Sequence, residues 1–282
     1  MQIIKNIVIS GAGGKPIALD VFYKDGPPKP AVIYAHGFNG FKDWGGFDLI
    51  AAQFAEAGFC FVKFNFSHNG TTPEAPEDFV DIEAYGNNNY TKELDDLQKV
   101  IDWVADANNR YAAAMDATKI FLIGHSRGGG IVLIKGAEEK RIKAMATWAS
   151  VSECKTPWGN WPEDRMHKWK EAGVEYYTNS RTKQQMPLYY QLYENYVAHR
   201  ERLNVLKASK KAAIPLLICH GTKDEAVPVD NAHLLHEATG NSELFLVESD
   251  HVFGRQHPWT AGDLPEAAQA VVSKTIQFFS AL

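Results

Sequence analysis

The sequence predicts an α/β protein: a mostly parallel central sheet with helices on both faces and a small inserted lid. Three observations carry that expectation. Short apolar runs alternate with amphipathic stretches of about 10–15 residues along most of the chain, the rhythm of parallel strands joined by crossover helices. One run, Ala31-Val32-Ile33-Tyr34-Ala35, has no polar face, as expected of a central strand covered on both sides. The 282 residues can also bury a large core, since a chain near 300 residues hides about 75% of its unfolded surface.

Taken in order, Ile4 to Ile9 and Ile17 to Tyr23 read as two strands joined by the turn-rich Gly11-Ala12-Gly13-Gly14, which makes an antiparallel sheet edge. Ala31 to Ala35 is the first buried strand. Phe47 to Glu56 is helical and closes on Gly58 at the C′ position. Phe59 to Phe66 is strand-like, and Leu94, Leu97, Ile101 and Val104 mark one face of a helix. Ile120 to Ile123, Ile142 to Ala149, Ile214 to Cys219 and Leu244 to Val247 are further strands, with a helix from Ile131 to Ala137. The chain ends on a long amphipathic helix, where Asp263 and Glu266 have the spacing of a capping box. Only Val151 to Leu206 breaks the rhythm. It is too long for an ordinary connection and reads as a lid or a functional loop system within a single domain spanning 1–282.

Composition narrows the function. Hydrophobic residues at 45% and charged residues at 22% are those of an ordinary globular protein, which argues against disorder. The net charge is −5 with no basic block, so nothing offers the clustered Lys and Arg that phosphate neutralisation needs, and no nucleic-acid partner is expected. No apolar stretch approaches the roughly 20 residues of a membrane span, and the opening residues lack the pattern of a signal peptide. Cys60, Cys154 and Cys219 are odd in number and far apart, which argues for a reducing, cytoplasmic setting instead of a disulfide framework. Gly11 to Pro16 matches neither a P-loop nor a dinucleotide fingerprint, and no C-x-x-C or H-E-x-x-H occurs. Neither a cofactor nor a metal is expected.

The strongest local signal is Gly124-His125-Ser126-Arg127-Gly128, a G-x-S-x-G that follows one predicted strand and opens a helix. In that setting the serine sits on a strained turn, and flanking glycines remove the Cβ atoms that would clash. Ser126 is therefore the candidate nucleophile. A serine needs a base and an orienting acid, and in this architecture they follow in the order Asp or Glu, then His, each just after a strand. Asp224 lies in the turn beyond Ile214 to Cys219, with Glu225 as its rival. His251 follows Leu244 to Val247 directly. His233 and His236 fall in a helical pattern at i, i+3, and His257 precedes Pro258 in a loop, so His251 is the base candidate. The strand Ala31 to Ala35 ends in His36-Gly37-Phe38, a pairing found in loops that bind an oxyanion through backbone N–H groups. The two donors are assigned to Phe38 and Arg127, with His36 anchoring the loop. His68-Asn69-Gly70 reads as a turn that re-routes the chain, with a substrate contact as the alternative.

With these motifs spread from His36 to His251, the chain resembles the α/β-hydrolase superfamily. It is most similar to the single-domain esterase and dienelactone-hydrolase-like branch, which also resembles the catalytic domain of prolyl-oligopeptidase-type peptidases. The short His36-Gly37-Phe38 loop and an insertion after the sixth core strand resemble the cinnamoyl (feruloyl) esterases. Two departures stand out. Ser126 occupies an elbow where dienelactone hydrolases typically carry cysteine, and 282 residues cannot hold the oligopeptidase propeller.

The resemblance and the motifs together imply a serine hydrolase that cleaves a small-molecule carboxylic ester through an acyl-enzyme. A small peptidase or amidase, or a non-catalytic ligand-binding form of the same fold, are the alternatives. The insertion carries Trp158, Trp161, Trp169, Tyr176, Tyr177, Tyr189, Tyr190, Tyr193 and Tyr196 but no phenylalanine. Rings with a polar tip suit half-wet surfaces, so the group is expected to line the pocket. Leu188, Leu192 and Tyr196 instead show helical spacing behind Pro187, the mark of a helix packed on the body.

Overall fold

The all-apolar run at Ala31 to Ala35 and its counterpart at Ile120 to Ile123 do lie side by side at the middle of a sheet. The computed structural model describes residues 1–282. The chain opens with the hairpin β1 (Gln2–Ser10) and β2 (Pro16–Tyr23), followed by β3 (Lys29–Ala35), α1 (Phe47–Glu56), β4 (Cys60–Phe64), α2 (Ile82–Gly86) and α3 (Tyr90–Ala105). Next come β5 (Met115–His125), α4 (Arg127–Glu138) and β6 (Ile142–Trp148). The irregular segment holds α5 (Glu163–Ala172), β7 (Val174–Thr178), β8 (Gln185–Tyr189) and α6 (Gln191–Ala198). The chain then closes with α7 (Val205–Ala212), β9 (Leu216–Gly221), α8 (Asp230–Ala238), β10 (Ser242–Val247) and α9 (Glu266–Ser280).

Eight strands form one sheet in the order β1-β2-β4-β3-β5-β6-β9-β10. Only the pairings of β2 with β1 and β4 are antiparallel; the rest run parallel. Alternate residues of each strand serve opposite faces. Ala31, Ile33 and Ala35 join Leu94, Leu97 and Ile131 in a core under α3 and α4. Val32 and Tyr34 join Ile50, Phe54 and Val271 in a second core under α1 and α9. No helix is long and apolar enough to cross a membrane.

The sheet also encloses charge. Asp20 on β2 pairs in register with Lys63 on β4, and both are fully buried. Lys42 Nζ lies 2.8 Å from Asp20 and 2.5 Å from Asp43, while Lys63 Nζ reaches Asp20 at 3.2 Å and Asp48 at 2.5 Å. Burial alone would raise the Asp43 carboxyl, but the two ammonium groups hold it at about 2. The carboxylates of Asp20, Asp43 and Asp48 cluster closely, but Lys42, Lys63 and Lys5, whose Nζ lies 2.5 Å from Asp48, already neutralise them. The network fixes the loop from Phe41 to Trp44.

Two local expectations are corrected. The last helix starts at Glu266 with Pro265 as its N-cap and no side-chain cap, so Asp263 and Glu266 form no capping box. A proline disfavours helical geometry in the residue before it, which keeps Leu264 and Asp263 outside the helix. Pro187 and Leu188 belong to β8, not to a helix; the helical spacing begins only with Leu192 in α6.

The irregular segment builds its own aromatic core. Trp158 packs on Trp169, Tyr193 and Tyr196 with ring centroids 5.7–6.0 Å apart, and Trp169 on Trp161 and Tyr190 at 5.2 Å. Trp169 is fully buried and donates to Leu188 O at 2.6 Å. Removing a buried tryptophan side chain costs about 3–5 kcal/mol. Trp169→Ala is thus expected to lower Tm by several degrees, and Tyr176→Ala, at a 56% exposed position, to leave it nearly unchanged. Equal melting temperatures for wild type and Trp169→Ala would contradict this packing role.

Candidate active site

Ser126 stands between β5 and α4 with φ 55° and ψ −122°, a left-handed backbone that few non-glycine residues adopt. Its N–H is held by Trp148 O at 2.9 Å, and its carbonyl accepts from Gly129 at 2.9 Å. The glycines around it are explained by contact. A Cβ on Gly124 would fall 2.3 Å from Gly128 O, and one on Gly128 would fall 2.4 Å from both Ala35 O and His36 O. No side chain fits at either place. The first turn of α4 therefore rests directly on the end of β3 and the loop that leaves it. Gly37 in that loop is equally tight, since a Cβ there would sit 2.9 Å from Ser126 Cβ.

Of the assigned backbone donors, Phe38 N–H makes no hydrogen bond to another backbone group. Arg127 is the first residue of α4, where N–H groups lack intrahelical acceptors. The Arg127 side chain turns inward. Its Nε donates to Glu93 at 3.0 Å, and the guanidinium covers Tyr90 at 4.0 Å and Phe38 at 5.9 Å. One buried cation thus supports the residues bearing both donors. His36 is the anchor expected of it: its Nε2 accepts from Phe66 N–H at 3.2 Å, so Nδ1 carries the proton and donates to Gly37 O at 2.9 Å. Burial lowers His36 to about 4, which keeps that arrangement neutral. Asn69 clamps the same loop by donating to Gly40 O at 3.3 Å, so the His68-Asn69-Gly70 turn acts as a brace.

His251 follows β10 and Asp224 follows β9, as the motif order requires. His251 Nδ1 and Asp224 Oδ2 are 2.7 Å apart, which places the ring proton on Nδ1 and leaves Nε2 as the basic atom. Asp224 Oδ1 accepts from the N–H groups of Ala226 at 2.9 Å and Val227 at 2.8 Å. Burial alone would raise this carboxyl, but the His220 and His251 rings and the Val227 amide hold it well below the usual carboxylate range. Glu225 is exposed and makes none of these contacts. His233 and His236 lie exposed on α8, and His257 packs edge-on against Phe41. No hydrogen bond joins the Ser126 hydroxyl to the His251 ring, although both line the same cavity.

Several contributors were not foreseen. His125 Nε2 donates to His251 O at 3.0 Å, tying the elbow to the loop of the base. Burial and the adjacent His251 keep His125 well below the ordinary histidine range. His220 Nε2 donates to Val227 O at 2.8 Å and lies 3.3 Å from Asp224 Oδ2, so it braces the acid. Asn39, at φ 59°, accepts from the hydroxyls of Tyr85 and Tyr177, which also contact each other. The one sequence hint is the Asn in Phe38-Asn39-Gly40, a residue type that tolerates a positive φ.

The cleft divides at Ser126, His251 and Phe38. One arm, about 220 Å³, runs between Tyr34, Phe41, Trp44 and Phe47 on the body and Asn179 to Arg181 of the irregular segment. The other, about 570 Å³ and more open, is walled by Val151, Glu153, Lys155, Thr156 and Asn231. None of the nine tryptophans and tyrosines of the segment lines either arm, which corrects the expectation of an aromatic pocket lining. Trp158, Trp161, Trp169, Tyr190, Tyr193 and Tyr196 pack on one another instead. Tyr176 is exposed, Tyr189 bonds Glu83, and Tyr177 approaches the site through Asn39 and Phe38.

The BD-FAE family matches residues 19–239. Among solved structures, Est1E from Butyrivibrio proteoclasticus is 18% identical with a TM-score of 0.69, over 98% of this chain and 97% of that one. Another structure of Est1E holds ferulic acid. The esterase domain of a Rhodothermus marinus protein is 18% identical with a TM-score of 0.63, over 99% of this chain and 100% of that one. Alpha/beta hydrolase domain-containing protein 10 from mouse is 14% identical with a TM-score of 0.68, over 100% and 98%. These likenesses establish the α/β-hydrolase fold. No curated protein matches the chain by sequence.

The depressed Asp224 carboxyl has a consequence for stability. A carboxyl lowered in the folded state stabilises fully above its ordinary value of 3.8 and loses that contribution as pH falls toward the folded value. The Tm difference between wild type and Asp224→Asn should therefore narrow between pH 5 and pH 3. A difference constant over that interval would refute the charge-stabilised arrangement.

Proposed function

The chain belongs to the BD-FAE family, and we propose that it is a serine hydrolase cleaving carboxylic esters through an acyl-enzyme. The observation that carries this reading is the convergence on one cavity of Ser126, in its strained elbow, and His251, bonded to Asp224 at 2.7 Å. The esterase likenesses, and the ferulic acid bound by Est1E, support an ester as substrate.

In this mechanism Ser126 Oγ attacks the acyl carbon as His251 Nε2 takes the hydroxyl proton. The hydrogen bond that transfers it forms in the substrate complex, where such contacts tighten. Asp224 holds the imidazole in the tautomer that leaves Nε2 basic and stabilises the cation once formed. The negative charge on the carbonyl oxygen is met by the Phe38 and Arg127 amides. When the C–O bond to the alcohol breaks, the alcohol leaves with the proton from His251. Water then repeats the sequence, giving its proton to His251, adding to the acyl carbon and releasing the acid and free Ser126. No step calls for a cofactor.

Loss of the nucleophile in other triads costs about 10⁶ in kcat. Ser126→Ala is expected to lose ester turnover by several orders of magnitude and to lose labelling by a fluorophosphonate probe, with the melting temperature kept. Turnover within tenfold of wild type would end the assignment.

The acid is tested by comparison. Asp224→Asn should lower kcat by about 10⁴, as loss of the correct tautomer does elsewhere, and Glu225→Gln should have little effect. The reverse ranking would transfer the role to Glu225.

A further inference from the structure

The narrower arm of the cleft is apolar along the body, where Tyr34, Phe41, Trp44 and Phe47 form its wall. Across from them, the turn between β7 and β8 contributes Asn179, Ser180 and Arg181. Arg181 is the only Lys, Arg, Asp or Glu lining this arm, and the mechanism above does not use it. Its guanidinium lies 5.2 Å from the Phe41 ring and 5.6 Å from that of Phe79, so its plane is supported from below. A guanidinium has five N–H donors. One nitrogen, Nη2, donates to Glu77 O at 2.7 Å. Nη1 is 3.8 Å from Asp78 Oδ1, too far for a hydrogen bond, and Asp78 itself is 70% exposed. Glu77 directs its carboxylate toward His257 at 3.7 Å. Most of the fork is therefore free to meet a ligand. The charge acts at the rim of the arm: burial, and then Arg181, lower the nearby His257.

We propose that Arg181 makes the narrower arm selective for esters that carry a carboxylate on the group bound there. This rests on the esterase reading above and names the substrate class of that site. A planar fork beside aromatic walls suits a planar anion attached to an apolar group, since it can bond a carboxylate at two points. The net charge of −5 works against general attraction of anions, so selection depends on this one positioned cation. Either half of the ester can occupy the arm, and the chemistry recognised is the same in both cases.

The test uses two matched pairs of esters with the full chain. Phenyl acetate against 4-acetoxybenzoate puts the carboxylate on the alcohol side. p-Nitrophenyl butyrate against the mono-p-nitrophenyl ester of glutaric acid puts it on the acyl side. In one pair the wild-type kcat/KM should favour the anion, and the anion-to-neutral ratio should fall about tenfold in Arg181→Met and less in Arg181→Lys. The pair that responds identifies which half the arm holds. A wild type that prefers neither anion, or a ratio unchanged in Arg181→Met, overturns the inference and leaves the esterase reading intact. Equal loss on both members of a pair means that Arg181 only clamps the turn to Glu77, which also overturns it.

Should Arg181→Met fail to fold, the wild-type ratio is read at 20 mM and at 1 M salt. Screening should lower it, and a constant ratio counts against the inference. If no ester is cleaved, the esterase reading fails, and calorimetry still decides the arm's preference. Tighter binding of 3-phenylpropanoate than of 3-phenylpropanamide, lost in Arg181→Lys or Arg181→Met, supports recognition of a carboxylate; equal binding refutes it.

Discussion

The contact on which the site depends is the close approach of the first turn of α4 to the end of β3. At Gly128 two carbonyl oxygens, from Ala35 and His36, lie where a Cβ would be. A side chain there would have to push the helix and the loop apart, and backbone has little room to yield in a packed interior. The same approach brings the Arg127 amide beside the loop that carries Phe38. It also presses Gly37 against Ser126. Ordinary sheet packing supplies the force, because β3 and β5 are neighbours in the centre of the sheet. Glycines permit the distance, and the distance makes a shared site out of two separate loops.

Around that contact the molecule spends much of its buried polarity on holding loops still. His36 and Asn69 bind the loop after β3 from one side, and the Tyr85 and Tyr177 hydroxyls hold Asn39 from the other. His125 and His220 perform the corresponding task for the loops of His251 and Asp224. Nearly all of their polar atoms find partners, the condition for keeping a polar side chain out of water; the exception is the buried Nδ1 of His220. The ion cluster of Asp20, Lys42, Asp43 and Lys63 does the same for the wall that ends in Trp44. A cluster of that kind gains little net stability over apolar packing, so its evident effect is to fix where the loop runs.

Most of the sheet and the candidate triad could be read from the residues, for a local reason. Strand periodicity, the glycine-flanked Ser126 and the positions of Asp224 and His251 just past strand ends are all short-range patterns. The rings of the irregular segment were misjudged because an amphipathic ring suits both a wet pocket wall and a packed cluster, and sequence carries no sign of which neighbour it meets. Steric restriction before Pro265, not the spacing of Asp263 and Glu266, decides the helix start. Asp20 within Ile17 to Tyr23, and Lys63 within Cys60 to Phe64, were legible anomalies, since a charge inside an apolar strand needs a partner. Arg181 was not legible at all. Its position follows from how a two-stranded ribbon folds back over the body, a contact between segments more than a hundred residues from Phe41.

The division between body and ribbon bears on how such proteins diverge. Every candidate reacting group sits just past the end of a strand of the body's sheet, on a loop held by hydrogen bonds. The narrower arm meets the irregular segment only at three consecutive residues of a turn. Turns accept replacement, insertion and deletion far more readily than the elements they join. Natural variation, or a designed library confined to positions 179–181, can thus reshape this arm of the cleft without touching the candidate triad.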